Sequence, residues 1–131
     1  MTVPGPDGID VLFTAEQIAG RVEELAGEIV AHIDGDLLVV VILKGSFVFA
    51  ADLIRALDRN GAPARVDFIT LSSYHEGTES SGRVELAHDL SEDVKGQDVL
   101  IVDDILESGR TLDFACSAMA DRGAASVRTC L

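Results

Sequence analysis

The chain has few cysteines, few prolines and few positive charges, and each shortage removes a class of explanation. Its two cysteines, Cys116 and Cys130, are separated by thirteen residues, with no histidine or further cysteine at metal-finger spacing. Both read as reduced packing residues. Ten basic residues stand against twenty-three acidic ones, giving a net charge of -13. A polyphosphate backbone or an anionic membrane would be repelled over most of such a surface, so nucleic acid and membrane are set aside as partners. A small anionic substrate is compatible with this charge, because local backbone amides and one or two cations hold such ligands, usually with a divalent metal in between. The overall acidity favours accumulation of Mg²⁺. No run approaches the roughly 20 apolar residues of a membrane span, and MTVPGPDGID has neither a basic nor an apolar leader segment. The expectation is a soluble, cytoplasmic chain. What is present, 47% hydrophobic residues in 131, suits one domain around one core.

Two of the three prolines fall in residues 1–13 with two glycines, which suits an arm over the surface more than a regular element. The core domain is expected over 14–131. Thr14 and Gln17 form a capping-box pair, and Ile18, Val22, Leu25, Ile29 and Ile33 recur at helical spacing, predicting a helix that ends near Gly35. LLVVVIL at 37–43 is a continuous aliphatic run, the pattern of a strand buried on both faces of a parallel sheet. Helical spacing returns over 47–59 and closes at Asn60-Gly61. A second strand is predicted at 64–73, and the polar YHEGTESSGR (74–83) reads as a mobile loop with little to bury. A short alternating stretch follows at 84–88, then a strand at 98–102, a helix from about 112 to 122, and a strand from 126. Strands alternating with helices at this spacing predict an α/β fold, a Rossmann-like parallel sheet with helices on both faces. Ligands bind such sheets at the carboxyl ends of the strands. LKGS, SSYHEG and DDILESGRT all fall at those ends.

The most informative stretch is VLIVDDILESGRTL, residues 99–112. Two carboxylates at a strand's end, Asp103 and Asp104, suit adjacent sugar hydroxyls, since an ionised carboxylate only accepts hydrogen bonds. Glu107-Ser108-Gly109-Arg110-Thr111 then wraps into a helix start, where free N–H groups and the positive dipole end favour a phosphate. Ser108 and Thr111 add hydroxyl donors, and Gly109 allows close backbone approach.

With four aliphatics, two acids, two aliphatics, an acid, Ser, Gly and Thr in order, this segment resembles the phosphoribosyl-diphosphate signature of the type I phosphoribosyltransferases. The resemblance implies that Asp103 and Asp104 hold the ribose hydroxyls, and contact a metal indirectly through ribose or water. It implies that residues 107–111 cradle the 5′-phosphate. The purine enzymes place their general base at position 107; the hypoxanthine-guanine branch mostly has Asp there, whereas Glu107 is one methylene longer. Leu43-Lys44-Gly45 matches the branch's pyrophosphate loop, whose unusual peptide conformation presents backbone N–H groups to the leaving group. Preorganised donors and one cation suit that concentrated charge. Ser73-Tyr74, holding the only tyrosine, matches the start of a flexible loop that closes over the reacting centre and excludes water.

The implied reaction transfers 5-phosphoribosyl from phosphoribosyl diphosphate to hypoxanthine or guanine, giving a nucleoside monophosphate and pyrophosphate with Mg²⁺ present. The implied assembly is a homodimer or homotetramer. The base half-site is a different matter. In the family, a strand beginning like SVRTCL continues to a lysine that reads the purine's exocyclic oxygen, an aromatic that stacks on the base, and a late metal-side aspartate. No residue of this chain matches those three, so the expectation is a core whose C-terminal part is missing, with little transferase activity as written. A non-catalytic, nucleotide-sensing module on the same fold is the alternative. A dinucleotide-binding domain is disfavoured, because no G-x-G-x-x-G opens a helix after a strand.

Overall fold

The aliphatic run forms strand β3 (Leu37–Leu43), and it is buried as its composition predicts: Leu37 through Ile42 are all out of solvent. A strand without a polar face needs cover on both sides and a neighbour on both edges. In the computed structural model it has them. The structure describes residues 3–76, 79–106 and 108–131, with side chains for 4–72, 84–106 and 108–131.

The remaining elements are β1 (Val3–Pro4), β2 (Asp10–Val11), α1 (Ala15–Ala31), α2 (Phe47–Arg59), β4 (Ala64–Glu76), β5 (Glu79–His88), β6 (Asp98–Val102), α3 (Arg110–Asp121) and β7 (Ser126–Cys130). The main sheet runs β5-β4-β3-β6-β7. Leu37 lies level with both Ala64 and Asp98, and Asp98 with Ser126, so four parallel strands start on one line. Their carboxyl ends therefore emerge at one edge.

Alternate residues of β3 feed two cores. Leu37, Val39 and Val41 pack with Val22 and Ala26 of α1 and with Ala50, Leu53 and Leu57 of α2. Leu38, Val40 and Ile42 pack on the other face with Ile69, Ile101, and Ala115 and Met119 of α3. Cys130 is buried in the first core, Cys116 is half-buried against the second, and both are free thiols. Thr14 caps α1 with the reciprocal Gln17 pair expected of it. Glu23 accepts from Arg59 Nε at 2.6 Å and Asn60 Nδ2 at 3.1 Å, tying α1 to the end of α2. No helix is long and apolar enough to cross a membrane among the described residues.

Three expectations change. The sheet is not wholly parallel, because β5 pairs antiparallel to β4 at one edge. The segment read as a polar loop at 74–83 lies largely in these two strands, with Ser73 opposite Val84 and Tyr74 opposite Arg83. Backbone pairing satisfies N–H and C=O groups whatever the side chains, so an edge ladder forms without the apolar alternation that pattern reading requires. The arm at 1–13 is also more regular than expected: Val3 pairs with Val11 and Pro4 with Asp10 around a 3₁₀ turn at Pro6–Gly8.

Asp67 is a buried carboxylate that pattern reading missed within β4. Its Oδ1 accepts from the Phe68 N–H at 2.8 Å, and its Oδ2 accepts from the Ser91 and Glu92 N–H groups at 2.8 and 2.7 Å. One oxygen thus fixes the segment leading into β6, and Arg65 with Glu92 (2.8 Å) and Arg122 with Asp89 (2.8 Å) clamp the same segment at the surface. Asp67→Asn leaves an NH₂ or a single acceptor facing donors. It is expected to cost about 2–3 kcal/mol, read as a lower urea midpoint with an unchanged slope.

Candidate functional site

β3 is the strand at which the connections diverge: its own helix leads to β4 on one side, and that of β6 leads to β7 on the other. Two loops leaving the sheet in opposite directions open a crevice between them. Ile42 and Leu43, where the 44–46 loop begins, line one wall, and residues 103–106, 108 and 109 line the other.

The first wall is tightly held. The Leu43–Lys44 peptide is cis, the unusual conformation that the resemblance implied. Ser46 is fully buried, and its hydroxyl donates to the Ile42 carbonyl, closing the loop on its own strand. The Phe47 N–H donates to the Lys44 carbonyl at 3.2 Å, and the Ala50 N–H to the Ser46 carbonyl at 2.8 Å as α2 begins.

Across the crevice a relay of backbone and carboxylate contacts fixes the paired acids. The Asp103 N–H donates to the Cys130 carbonyl at 3.1 Å, continuing the β6–β7 ladder. The Asp104 N–H donates to Asp103 Oδ1 at 2.9 Å, and the Ile105 N–H to Asp104 Oδ1 at 2.8 Å. Gly109, at φ 79°, turns the chain into α3 through the left-handed region that glycine enters without steric cost. Ser108 Oγ accepts from the Arg110 N–H at 3.3 Å. The first amides of an α-helix have no acceptor within the helix, which leaves those of α3 beyond Arg110 free to meet a ligand.

Together these elements bound a cavity of about 350 Å³. Leu43, Asp103, Asp104, Ser108, Gly109 and Thr111 line it, with Ile42, Leu71, Ile105, Leu106, Leu112 and Leu131. Gly45 touches the Asp104 carboxylate without being part of the lining. Lys44 and Arg110 are exposed and outside the lining. Glu107, expected as base and phosphate contact, lies outside the described residues, as do the side chains of Ser73 and Tyr74. The backbone of Ser73 and Tyr74 is described: Thr70 is level with Leu43, so they lie three and four residues beyond the end of β3, past the same sheet edge.

Sequence reasoning did not single out Ile105 and Leu106, which are 67% and 56% exposed beside the acids. Large apolar side chains so exposed at a cavity mouth offer a surface to a flat ligand. The signal was their place inside the signature, between the acids and the phosphate turn.

Burial raises the Asp103 carboxyl above its ordinary value, the Asp104 N–H opposing the rise and the Asp104 carboxylate adding to it. No described group of three or more His, Cys, Asp or Glu side chains could hold a metal alone. A hard divalent cation would fit two adjacent carboxylates only if a ligand's oxygens completed its shell.

The sequence profile of the phosphoribosyl transferase domain family matches residues 8–131. The hypoxanthine-guanine phosphoribosyltransferase of Mycobacterium avium is 41% identical over 127 residues, covering 92% of this chain and 61% of that protein. That of Staphylococcus aureus is 41% identical over 114 residues, covering 86% of this chain and 62% of that protein. The chain spans about three fifths of the length of these curated relatives. Among solved structures, a Staphylococcus aureus hypoxanthine phosphoribosyltransferase superposes with a TM-score of 0.80 at 39% identity, over 90% of this chain and 63% of that one. A Trypanosoma cruzi hypoxanthine phosphoribosyltransferase in complex with the product IMP gives 0.80 at 38%, over 90% and 66%.

A carboxyl raised in the folded state binds its proton more readily folded than unfolded, so its charge opposes folding at neutral pH and stops doing so as pH falls through its titration. Asp103→Asn keeps the acceptor for the Asp104 N–H and removes that charge. The variant is expected to melt higher than the parent at pH 7, with the difference closing in acid, as followed by calorimetric melting across pH.

Proposed function

This chain belongs to the phosphoribosyl transferase domain family, and we propose that its crevice between β3 and β6 serves purine phosphoribosyl transfer. A nitrogen of hypoxanthine or guanine forms a bond to C1′ of phosphoribosyl diphosphate, the C1′–O bond to diphosphate breaks, and pyrophosphate leaves. The purine nitrogen's proton passes to a base. The observation that carries this reading is that Asp103 and Asp104 share one cavity with Leu43, where the loop at 43–46 begins, and with the glycine-initiated start of α3.

Each part has one task. Asp103 and Asp104 accept hydrogen bonds from the ribose hydroxyls, and Ser108, Thr111 and the first amides of α3 hold the 5′-phosphate. Leu43, Lys44 and Gly45 receive the diphosphate, Lys44 supplying the cation. Asp103 and Asp104, acting through the ribose or water, would hold a Mg²⁺ ion, which would supply neutralising charge for the diphosphate. Glu107 is the proton acceptor. Ser73 and Tyr74 begin the segment that covers the reacting carbon. Ile105 and Leu106 give the base an apolar surface on the ribose side. The acids need their charge for this work, although charge on Asp103 opposes folding, as stored strain at functional sites commonly does.

Calorimetric titration with phosphoribosyl diphosphate and Mg²⁺ tests the assignment. Asp104→Asn combined with Thr111→Ala is expected to weaken binding by about 2–4 kcal/mol, on the order of two lost charge-assisted hydrogen bonds. Chelating the metal should weaken the parent as well. An unchanged affinity in the folded double variant would remove the site from the 103–111 segment.

A further inference from the structure

Most turn glycines of this chain have a conformational reason: Gly35, Gly61, Gly96, Gly109 and Gly123 all have positive φ. Gly45 does not. Its backbone would accept any L-residue, so what requires glycine there is space. A Cβ built at Gly45 would lie far inside van der Waals contact of Asp104 Oδ2 and 3.3 Å from Asp104 Cγ. The carboxylate of one half-site therefore rests against the bare backbone of the other.

Both residues are exposed, yet each is tethered by hydrogen bonds around it. Asp104 has a short side chain, its Oδ1 is taken by the Ile105 N–H at 2.8 Å, and its own N–H is held by Asp103. Gly45 is followed directly by buried Ser46, whose hydroxyl is bonded to Ile42. A contact between two anchored groups transmits displacement.

We propose that Gly45 is a positioning residue for Asp104: the absence of a side chain in the pyrophosphate loop sets the place of the carboxylate that receives the ribose, so the two half-sites are sterically coupled. This rests on the reading of the crevice given above. Its consequence is that a change in the 43–46 loop alters the affinity of a ligand that never reaches that loop. A nucleoside monophosphate has ribose hydroxyls and a 5′-phosphate but no diphosphate, and so reports on the Asp104 side alone.

The experiment is a double-mutant cycle on the whole chain, with GMP and Mg²⁺ titrated calorimetrically into the parent, Gly45→Ala, Asp104→Ala and the double variant, each also melted. Steric coupling predicts that Gly45→Ala weakens GMP by about tenfold or more, and that it adds nothing once Asp104 is alanine. It also predicts that any melting-temperature loss from Gly45→Ala is recovered in the double variant, where the added methyl has room; that readout stands even if the single variant is too unstable to titrate. Unchanged GMP affinity in Gly45→Ala would overturn the coupling, as would a loss confined to pyrophosphate, additive effects, or a double variant no more stable than Gly45→Ala. Failure of the parent to bind GMP at all would instead overturn the functional reading, and this inference with it.

Discussion

Everything in this fold is arranged around a strand that cannot face water. From Leu37 to Ile42, β3 has no polar side chain to offer solvent, so helices must cover both faces and strands must pair with both edges. Parallel partners in common register then bring four carboxyl ends to one edge, and divergence of the connections at β3 and β6 opens the crevice there. The site is thus a consequence of hydrophobic burial before it is a matter of chemistry. The polar groups that matter sit one or two residues beyond the last buried aliphatic: Asp103 follows Val102, and Lys44 follows Leu43.

That arrangement puts like charges where they are least comfortable. Asp103 and Asp104 are adjacent, Asp103 is partly buried, and the chain as a whole carries -13. The cost is contained by short-range order, because each carboxylate accepts the next residue's N–H and Asp103 is tied to β7 through Cys130. Preorganised acceptors of this kind meet a ligand's hydroxyls without having to reorganise when it arrives. The opposing wall is equally fixed, by buried Ser46 and the start of α2. The Asp104 carboxylate meets that wall directly, against the backbone of Gly45.

Much of this was legible in the residues. β3, α2 and β6 begin and end where continuous aliphatic runs and helical spacing put them, because long, strongly patterned segments have few alternatives. The placement of the paired acids before a helix start was legible because their order along the chain is itself a geometric statement: strand, carboxylates, glycine, helix. The β4–β5 ladder was not, because its polar residues show no period-2 apolar pattern and its pairing lies in the backbone. Asp67 was missed for a related reason. An acid inside a strand reads as solvent-facing until the N–H groups of Ser91 and Glu92 are brought to it from elsewhere in the chain. The Gly45–Asp104 contact is of the same kind, a pair of residues far apart in sequence that only the fold brings together.

The central claim is that the crevice between β3 and β6 receives ribose and phosphate together, and amide chemical shifts of the isotope-labelled chain during titration with ribose 5-phosphate and Mg²⁺ test it most directly. The account predicts that the largest saturable shifts fall on the amides of Asp103, Asp104 and Ile105 and on those of Ser108 through Leu112, with smaller ones at Gly45 transmitted through its contact with Asp104. Shifts that gather on the groove between α1 and α2, around Ala19 and Arg55, or a spectrum that does not change up to millimolar ligand, would contradict it.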